Sequence, residues 1–338
     1  VTAAGIRYRN RDDLVVIECV PATQCAAVFT RNRFSAAPVQ VARAHLSQNM
    51  PRALLINSGN ANAGTGTQGI DDASECCRLL AEHLDCQAAE VLPYSTGVIG
   101  QHLPVDTIAK AIPACIAKLA ADEDAWQAAA NAIMTTDTVA KLYSRRIDIA
   151  GCDVSLTGIA KGAGMIRPDM ATMLAYIATD AKIEQPVLQS LLAEATAVSF
   201  NRITVDGDTS TNDACTLLAT GQSKMQAISA RTAEYDQFSA ALTSLMQELA
   251  QAIIRDAEGA TKFITINVFG GATEADCYAV AYTVAESPLV KTAFFASDPN
   301  WGRILAAVGR APAGELNIQQ VDISPVSYTH LTLPTITE

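Results

Sequence analysis

Residues 161–180 read Lys161-Gly-Ala-Gly-Met-Ile-Arg-Pro-Asp-Met-Ala-Thr172-Met-Leu-Ala-Tyr-Ile-Ala-Thr-Asp180, and the order of these parts limits what the chain can build there. A flexible Gly-Ala-Gly run comes first, then the stiff Pro168, the small Ala171 and the hydroxyl of Thr172. The apolar run 173–178 follows and reads as a buried strand. A threonine at the mouth of such a strand is held by the sheet, with its hydroxyl facing whatever lies beyond. Threonine is also simply a good strand former, and taken alone that explanation suffices.

The rest of the chain changes the weighting. A threonine hydroxyl needs a base to act as a nucleophile, and an N-terminal α-amine is one solution. Only four histidines are present, at 45, 83, 102 and 330, and none is near Thr172 in sequence. Cutting the Ala171–Thr172 bond would give Thr172 a free α-amine. Such an amine has a reference pKa of about 7.7–8.0, suited to base work near neutral pH. The same hydroxyl can cut that bond by attacking the Ala171 carbonyl, with Pro168 limiting the backbone upstream.

Short strands are expected at 14–20, 26–30, 53–56, 147–156 and 263–269, and helices at 71–84, 122–133 and 230–255. Pro104 and Pro186 open two more helices, and Pro113 interrupts the first of these. The alanine-rich stretch 114–130 reads as helical. In 230–255, Phe238, Leu242, Leu245, Leu249 and Ile253 share one face. Helices and strands are mixed, and some strand pairs lack a helix between them. That argues for a layered α+β or mixed α/β fold rather than a regular βαβ repeat.

A net charge of −11 argues against nucleic acid and anionic membranes as partners. No apolar run reaches the length of a membrane span, and no signal peptide is visible. Nine scattered cysteines without a CxxC pair suggest free, mostly buried thiols and a reducing cytoplasm. Asp206, Asp208 and Asp213 invite a metal reading, but position six of a calcium loop there would be Thr211 and position twelve Leu217. No His or Cys set has zinc spacing. Turn roles are expected for the three acids, and no metal. Gly64-Thr-Gly66-Thr-Gln-Gly69 fits GxGxxG between a strand and a helix, so a dinucleotide-binding oxidoreductase is a rival. Seven residues separate Ile56 from Gly64, too many for the tight turn of that motif, though an anion cradle at the helix start stays open.

Seven blocks in order resemble one family, the ornithine acetyltransferases or glutamate N-acetyltransferases. Gly158-Ile-Ala-Lys-Gly-Ala-Gly-Met-Ile and Pro168-Asp-Met-Ala-Thr-Met-Leu resemble its self-cleavage and nucleophile motif. The others are Ala27-Val-Phe-Thr-Arg-Asn32, Asn57-Ser-Gly-Asn-Ala-Asn-Ala-Gly-Thr-Gly66, Ser95-Thr-Gly-Val-Ile-Gly100, Met134-Thr-Thr-Asp-Thr138, Ser199-Phe-Asn-Arg-Ile-Thr-Val-Asp-Gly-Asp-Thr-Ser-Thr-Asn-Asp213 and Asp298-Pro-Asn-Trp-Gly-Arg303. The resemblance covers about residues 1–323 and implies an α/β/β/α sandwich, with stacked sheets in the centre and helices outside.

It also implies acetyl transfer from N2-acetyl-L-ornithine to L-glutamate through an acetyl-threonine enzyme. Thr172 is then the nucleophile, with self-cleavage between Ala171 and Thr172. Thr96 and Gly97 form the oxyanion hole, although a plain loop accounts for them when taken alone. Thr135 (chosen over Thr136 by its offset from Thr172), Lys161, Thr172 and Glu258 bind substrate. A lone lysine is usually solvated, and Glu258 before Gly259 also reads as a helix-end acid. The resemblance implies no cofactor, with acetyl-CoA as an optional donor, and two copies each of an α-chain (1–171) and a β-chain (172–323). A hydrolase using the same threonine with water is the alternative. Residues 324–338 do not resemble the family and read as an unrelated tail on a chain truncated relative to it.

Overall fold

A computed structural model describes residues 1–167, 173–314 and 316–326. Two compact units are present, Val1–Ala260 and Thr261–Glu338. The first unit runs across the boundary expected at 171/172.

The first unit contains, in order, β1 (Leu14–Glu18), β2 (Gln24–Phe29), α1 (Ala37–Leu46), β3 (Ala53–Asn60), α2 (Gly66–Leu84), β4 (Val91–Val98), α3 (Val105–Ile116), α4 (Glu123–Ala132), β5 (Lys141–Ile149), β6 (Cys152–Lys161), β7 (Leu174–Thr179), α5 (Gln185–Ala197), β8 (Ala214–Ala219) and α6 (Ala233–Arg255). One sheet has the order β1-β3-β4, the other β2-β8-β7-β6-β5. Two parallel pairs, β3–β4 and β7–β8, enclose a helix each; the remaining pairs are antiparallel.

Strand alternation produces the layers. In β7, Leu174 and Tyr176 join Leu54, Ile56, Leu92 and Tyr94 of the smaller sheet in one core between the sheets. Their neighbours Ala175 and Ile177 point the other way, onto Leu188 and Leu192 of α5 and Leu245 and Leu249 of α6. Leu55 and Val91 of the smaller sheet turn outward onto Leu80 of α2 and Ile112 of α3. The result is helices, sheet, sheet, helices, the α/β/β/α arrangement of an α+β sandwich. Both faces of β7 are covered, so its apolar run has no polar alternation. All five residues assigned to one face of the long helix are fully buried in α6.

Several local expectations are corrected. Residues 147–156 are not one strand: a two-residue turn at Ala150 and Gly151, with φ of 51° and 79°, folds them into the β5–β6 hairpin. Ala-Gly lacks the usual Asn-Gly signal for such a turn. Pro113 does not break α3: the helix runs on to Ile116, and Ala117 N–H reaches the Pro113 carbonyl at 3.0 Å. The alanine-rich stretch breaks between Ile116 and Glu123, where Asp122 caps α4 by accepting from Ala125 N–H at 2.8 Å. Helix α2 starts at Gly66 rather than 71.

The second unit has α7 (Glu274–Ala285), α8 (Pro288–Phe295) and α9 (Trp301–Gly309). Val284, Val290 and Ala307 form its small core. Residues 263–269 pair with no strand among the described residues, and Phe269 is 86% exposed. Apolar, β-prone residues make a strand only where a partner edge exists. No helix among the described residues is long and apolar enough to cross a membrane. The nine cysteines are free thiols, six of them buried.

Candidate active site

Lys161 is the last residue of β6 and is only 5% exposed, which removes the solvated-surface explanation for it. Its ammonium donates to Thr135 Oγ1 at 2.7 Å and to Thr96 Oγ1 at 3.2 Å. Three of the expected site residues therefore meet at one atom. Thr96 arrives on β4 of the smaller sheet and Lys161 on β6 of the larger. Thr135 arrives on the turn after α4, whose last carbonyl, Ala132, is held by Ser58 Oγ of β3 at 2.7 Å. Arg11 also donates to the Met134 carbonyl. A hydroxyl that accepts from an ammonium keeps its own proton to donate elsewhere. Among the described residues neither hydroxyl has an acceptor, so Thr96 and Thr135 each hold a hydrogen available to a ligand. Burial pulls Lys161 below the usual lysine range, and the charges of Asp137, Asp213 and Glu258 oppose that pull.

Gly97 follows Thr96 with φ of 137°. A Cβ there would lie 2.2 Å from the Gly59 carbonyl carbon and 2.5 Å from Asn60 N, so only glycine lets β3 and β4 close at this bulge. The backbone at the proposed oxyanion position is fixed by that contact. Glu258 is exposed, its N–H donates to the Ala163 carbonyl at 2.9 Å, and its carboxylate lies over Gly164. A Cβ on Gly164 would approach Glu258 Oε1 to 2.9 Å. The end of α6 is thereby joined to the chain immediately after Lys161.

Ala171 and Thr172 lie outside the described residues, as does Pro168. Their described neighbours are tied to one segment. Asp206 accepts from Met165 N–H at 2.6 Å and Ile166 N–H at 3.0 Å, and Asp213 accepts from Met173 N–H at 3.0 Å. Asp206 also accepts from Asp208 N–H, which makes it a turn residue. Burial raises the Asp213 carboxyl well above the usual carboxylate range, and its Oδ2 has no partner among the described residues. Among the described residues no three His, Cys, Asp or Glu side chains come together to hold a metal ion.

Sequence reasoning missed the support under Lys161. Lys141, 3% exposed, donates to Asp137 Oδ1 at 2.8 Å and to Asp256 Oδ2 at 2.6 Å. Asp137 Oδ1 also accepts from Gly162 N–H at 2.6 Å, and its Oδ2 accepts from Thr135 N–H at 3.1 Å. Burial pushes the Asp137 carboxyl up, but the two lysines and the Gly162 N–H outweigh it and hold the group below its ordinary range. Asp256 accepts from Thr138 N–H and Val139 N–H as well. The only advance signal was Asp137 within the block 134–138; Lys141 and Asp256 carried none.

The 57–69 stretch is closed on itself. Asn62 is fully buried, accepts from Thr65 Oγ1 at 2.8 Å and donates to the Gly69 carbonyl at 2.8 Å. A Cβ on Gly69 would sit 1.9 Å from Thr65 Oγ1. Gly69, the third glycine of the motif, is therefore packed against Asn62 and Thr65 and leaves no room there for a phosphate, while Gly64, Gly66, Thr67 and Gln68 at the start of α2 stay exposed.

A family model described as the ArgJ family matches residues 1–334. The chain belongs to the ArgJ family. It is 57% identical over 321 residues to the arginine biosynthesis bifunctional protein ArgJ of Methylococcus capsulatus, covering 95% of this chain and 78% of that one. The protein of the same name from Psychrobacter arcticus is 53% identical over 323 residues, covering 95% of this chain and 79% of the relative. Among solved structures, ArgJ of Bacillus halodurans is 37% identical with a TM-score of 0.45, covering 50% of this chain and 86% of that chain.

Proposed function

We propose that this ArgJ family chain transfers the acetyl group of N2-acetyl-L-ornithine to L-glutamate. The observation that carries the reading is Lys161, a buried cation at the junction of two sheets whose two hydroxyl partners each keep a free proton. Both substrates bear an α-carboxylate, and a desolvated ammonium beside the Thr135 hydroxyl donor suits it, which leaves the Thr96 hydroxyl for the oxyanion. Glu258, at the exposed edge over Gly164, offers a negative charge to the side-chain ammonium of acetylornithine.

In this scheme the Thr172 hydroxyl first attacks the Ala171 carbonyl. The peptide nitrogen leaves as the new α-amine, and water hydrolyses the resulting ester. In turnover Thr172 Oγ adds to the acetyl carbonyl while its proton passes to that amine. The Thr96 hydroxyl and Gly97 N–H stabilise the oxyanion. The C–N bond breaks, and ornithine departs with the proton. The glutamate amine then attacks the acetyl-threonine ester and restores the enzyme. Association of the two cleaved chains into a tetramer of two α- and two β-chains, and acetyl-CoA as a second donor, belong to the same reading. The relatives' designation as bifunctional agrees with a second donor.

The test is a denaturing gel and a coupled assay on one preparation. Two fragments divided before Thr172, absent in Thr172→Ala, and ornithine release that depends on glutamate are expected. Ornithine release at the same rate without glutamate would move the assignment to a hydrolase. A single uncut and active chain would remove the α-amine base.

A further inference from the structure

We propose that Asp137 is a positioning residue of this site: its carboxylate fixes the Lys161 ammonium and the Thr135 turn in the arrangement that receives the substrate carboxylate. The proposal takes its ligand from the transfer reading above. Its support is the way the contacts around Asp137 are divided. The carboxylate is fully enclosed, with no exposed side-chain area. One oxygen, Oδ1, takes Lys141 Nζ and Gly162 N–H. The other, Oδ2, takes Thr135 N–H and faces Lys161 Nζ at 4.0 Å. A single side chain thus touches the residue after Lys161, the backbone of Thr135 and the field at the ammonium itself.

Lys141 explains why that field reaches Lys161. Its ammonium has a second carboxylate, Asp256, at 2.6 Å and the Val139 carbonyl at 3.2 Å. Asp256 is in turn tied to the turn 138–139 and stands two residues before Glu258. Lys141 therefore does not depend on Asp137 for its counter-charge, and part of the Asp137 charge is left for Lys161. A buried ammonium without a close anion gives up its proton readily. The groups facing Lys161 are Asp137, Asp213, Glu258 and Lys141, with the Thr96 and Thr135 hydroxyls in contact. Asp137 is the largest favourable charge among them, and Lys141 the one that opposes. Asp213, pushed toward its neutral form by burial, contributes less charge than its position suggests.

Two substitutions pull Lys161 in opposite directions. Asp137→Asn keeps the shape and one acceptor but removes the charge; Lys141→Gln removes the competing cation. KM for N-acetylornithine and kcat are measured from neutral to alkaline pH at saturating glutamate, against the wild-type chain. For Asp137→Asn, KM is expected to rise about tenfold at neutral pH, as for a lost charge-assisted contact. The alkaline loss of binding should move toward neutral pH by about one pH unit. For Lys141→Gln the same limb should move to higher pH. Titration of the substrate's own amine is common to all three proteins and cancels. A purely structural role for Asp137 lowers the melting temperature and kcat without displacing the limb. Limbs that coincide, or move together, in folded variants of an active wild-type chain overturn the proposal, and either variant alone suffices for that. A wild-type chain that releases no ornithine from N-acetylornithine instead removes the transfer reading itself.

Discussion

The asparagine-rich stretch 57–63 and the cluster around Lys161 are both buried and polar, yet their hydrogen bonds end in different places. In the first, Asn57, Asn60 and Asn62 donate to the carbonyls of Asn60, His102 and Gly69, and Ser95 Oγ returns to Asn57 Oδ1. Each of these groups meets another part of the same chain. At Lys161 the hydroxyls of Thr96 and Thr135 accept but still have protons to give. A polar cluster that completes itself holds a fold together, whereas one with donors to spare invites a ligand.

Substitutions test that contrast. The largest effect is expected for Lys161→Met, which removes one partner of a desolvated contact. It should lower kcat/KM for N-acetylornithine about a hundredfold or more. Folding should survive, because Asp137 keeps Lys141 as its ion pair. An unchanged kcat/KM would place the substrate carboxylate elsewhere. Gly97→Ala forces a methyl against the Gly59–Asn60 backbone and should cost about 2–4 kcal/mol in urea unfolding, with transfer falling as well. Wild-type stability and turnover together would deny that this contact fixes the oxyanion position.

Asn62→Ala removes hydrogen bonds to Thr65 and Gly69 and puts alanine at φ 46°. About 1–3 kcal/mol of stability should go, with KM for N-acetylornithine unchanged. A large rise in KM would make the 57–69 stretch a ligand site after all and erase the distinction. The smallest effect is expected for Tyr176→Phe. The Tyr176 hydroxyl is buried between the sheets without a partner among the described residues, beside the edge-on ring of Tyr94 at 5.1 Å. Removing it should leave the melting temperature equal or slightly raised. A clear drop would show that the hydroxyl is hydrogen-bonded after all.

Much of the fold was legible in particular residues. The apolar run after Thr172 became β7, and the 238–253 periodicity became the buried face of α6. Pro186 and Asp122 marked helix starts through fixed φ and an accepting carboxylate. Residues 147–156 and 263–269 misled because β-propensity reports a side chain's taste for a half-buried surface, not where the chain turns or whether an edge awaits it. The two acids at 71 and 72 mark a helix start there and leave the glycines to the preceding loop; the tight fit of Asn62 and Thr65 against Gly69 is not visible locally.

The sequence by itself settled family membership, the alternating and helical burial patterns, and that Thr96, Thr135, Lys161, Thr172 and Glu258 were the residues to follow. Those are matters of residue identity and spacing along one strand or helix, and they survive without coordinates. Only the tertiary structure joined Lys161 to Thr96 and Thr135 across two sheets, and set Asp137, Lys141 and Asp256 beneath it. Lys141 and Asp256 are 115 residues apart. Pairings over such distances arise from sheet stacking and helix docking, and a buried charge finds its counter-charge only once those layers have closed around it.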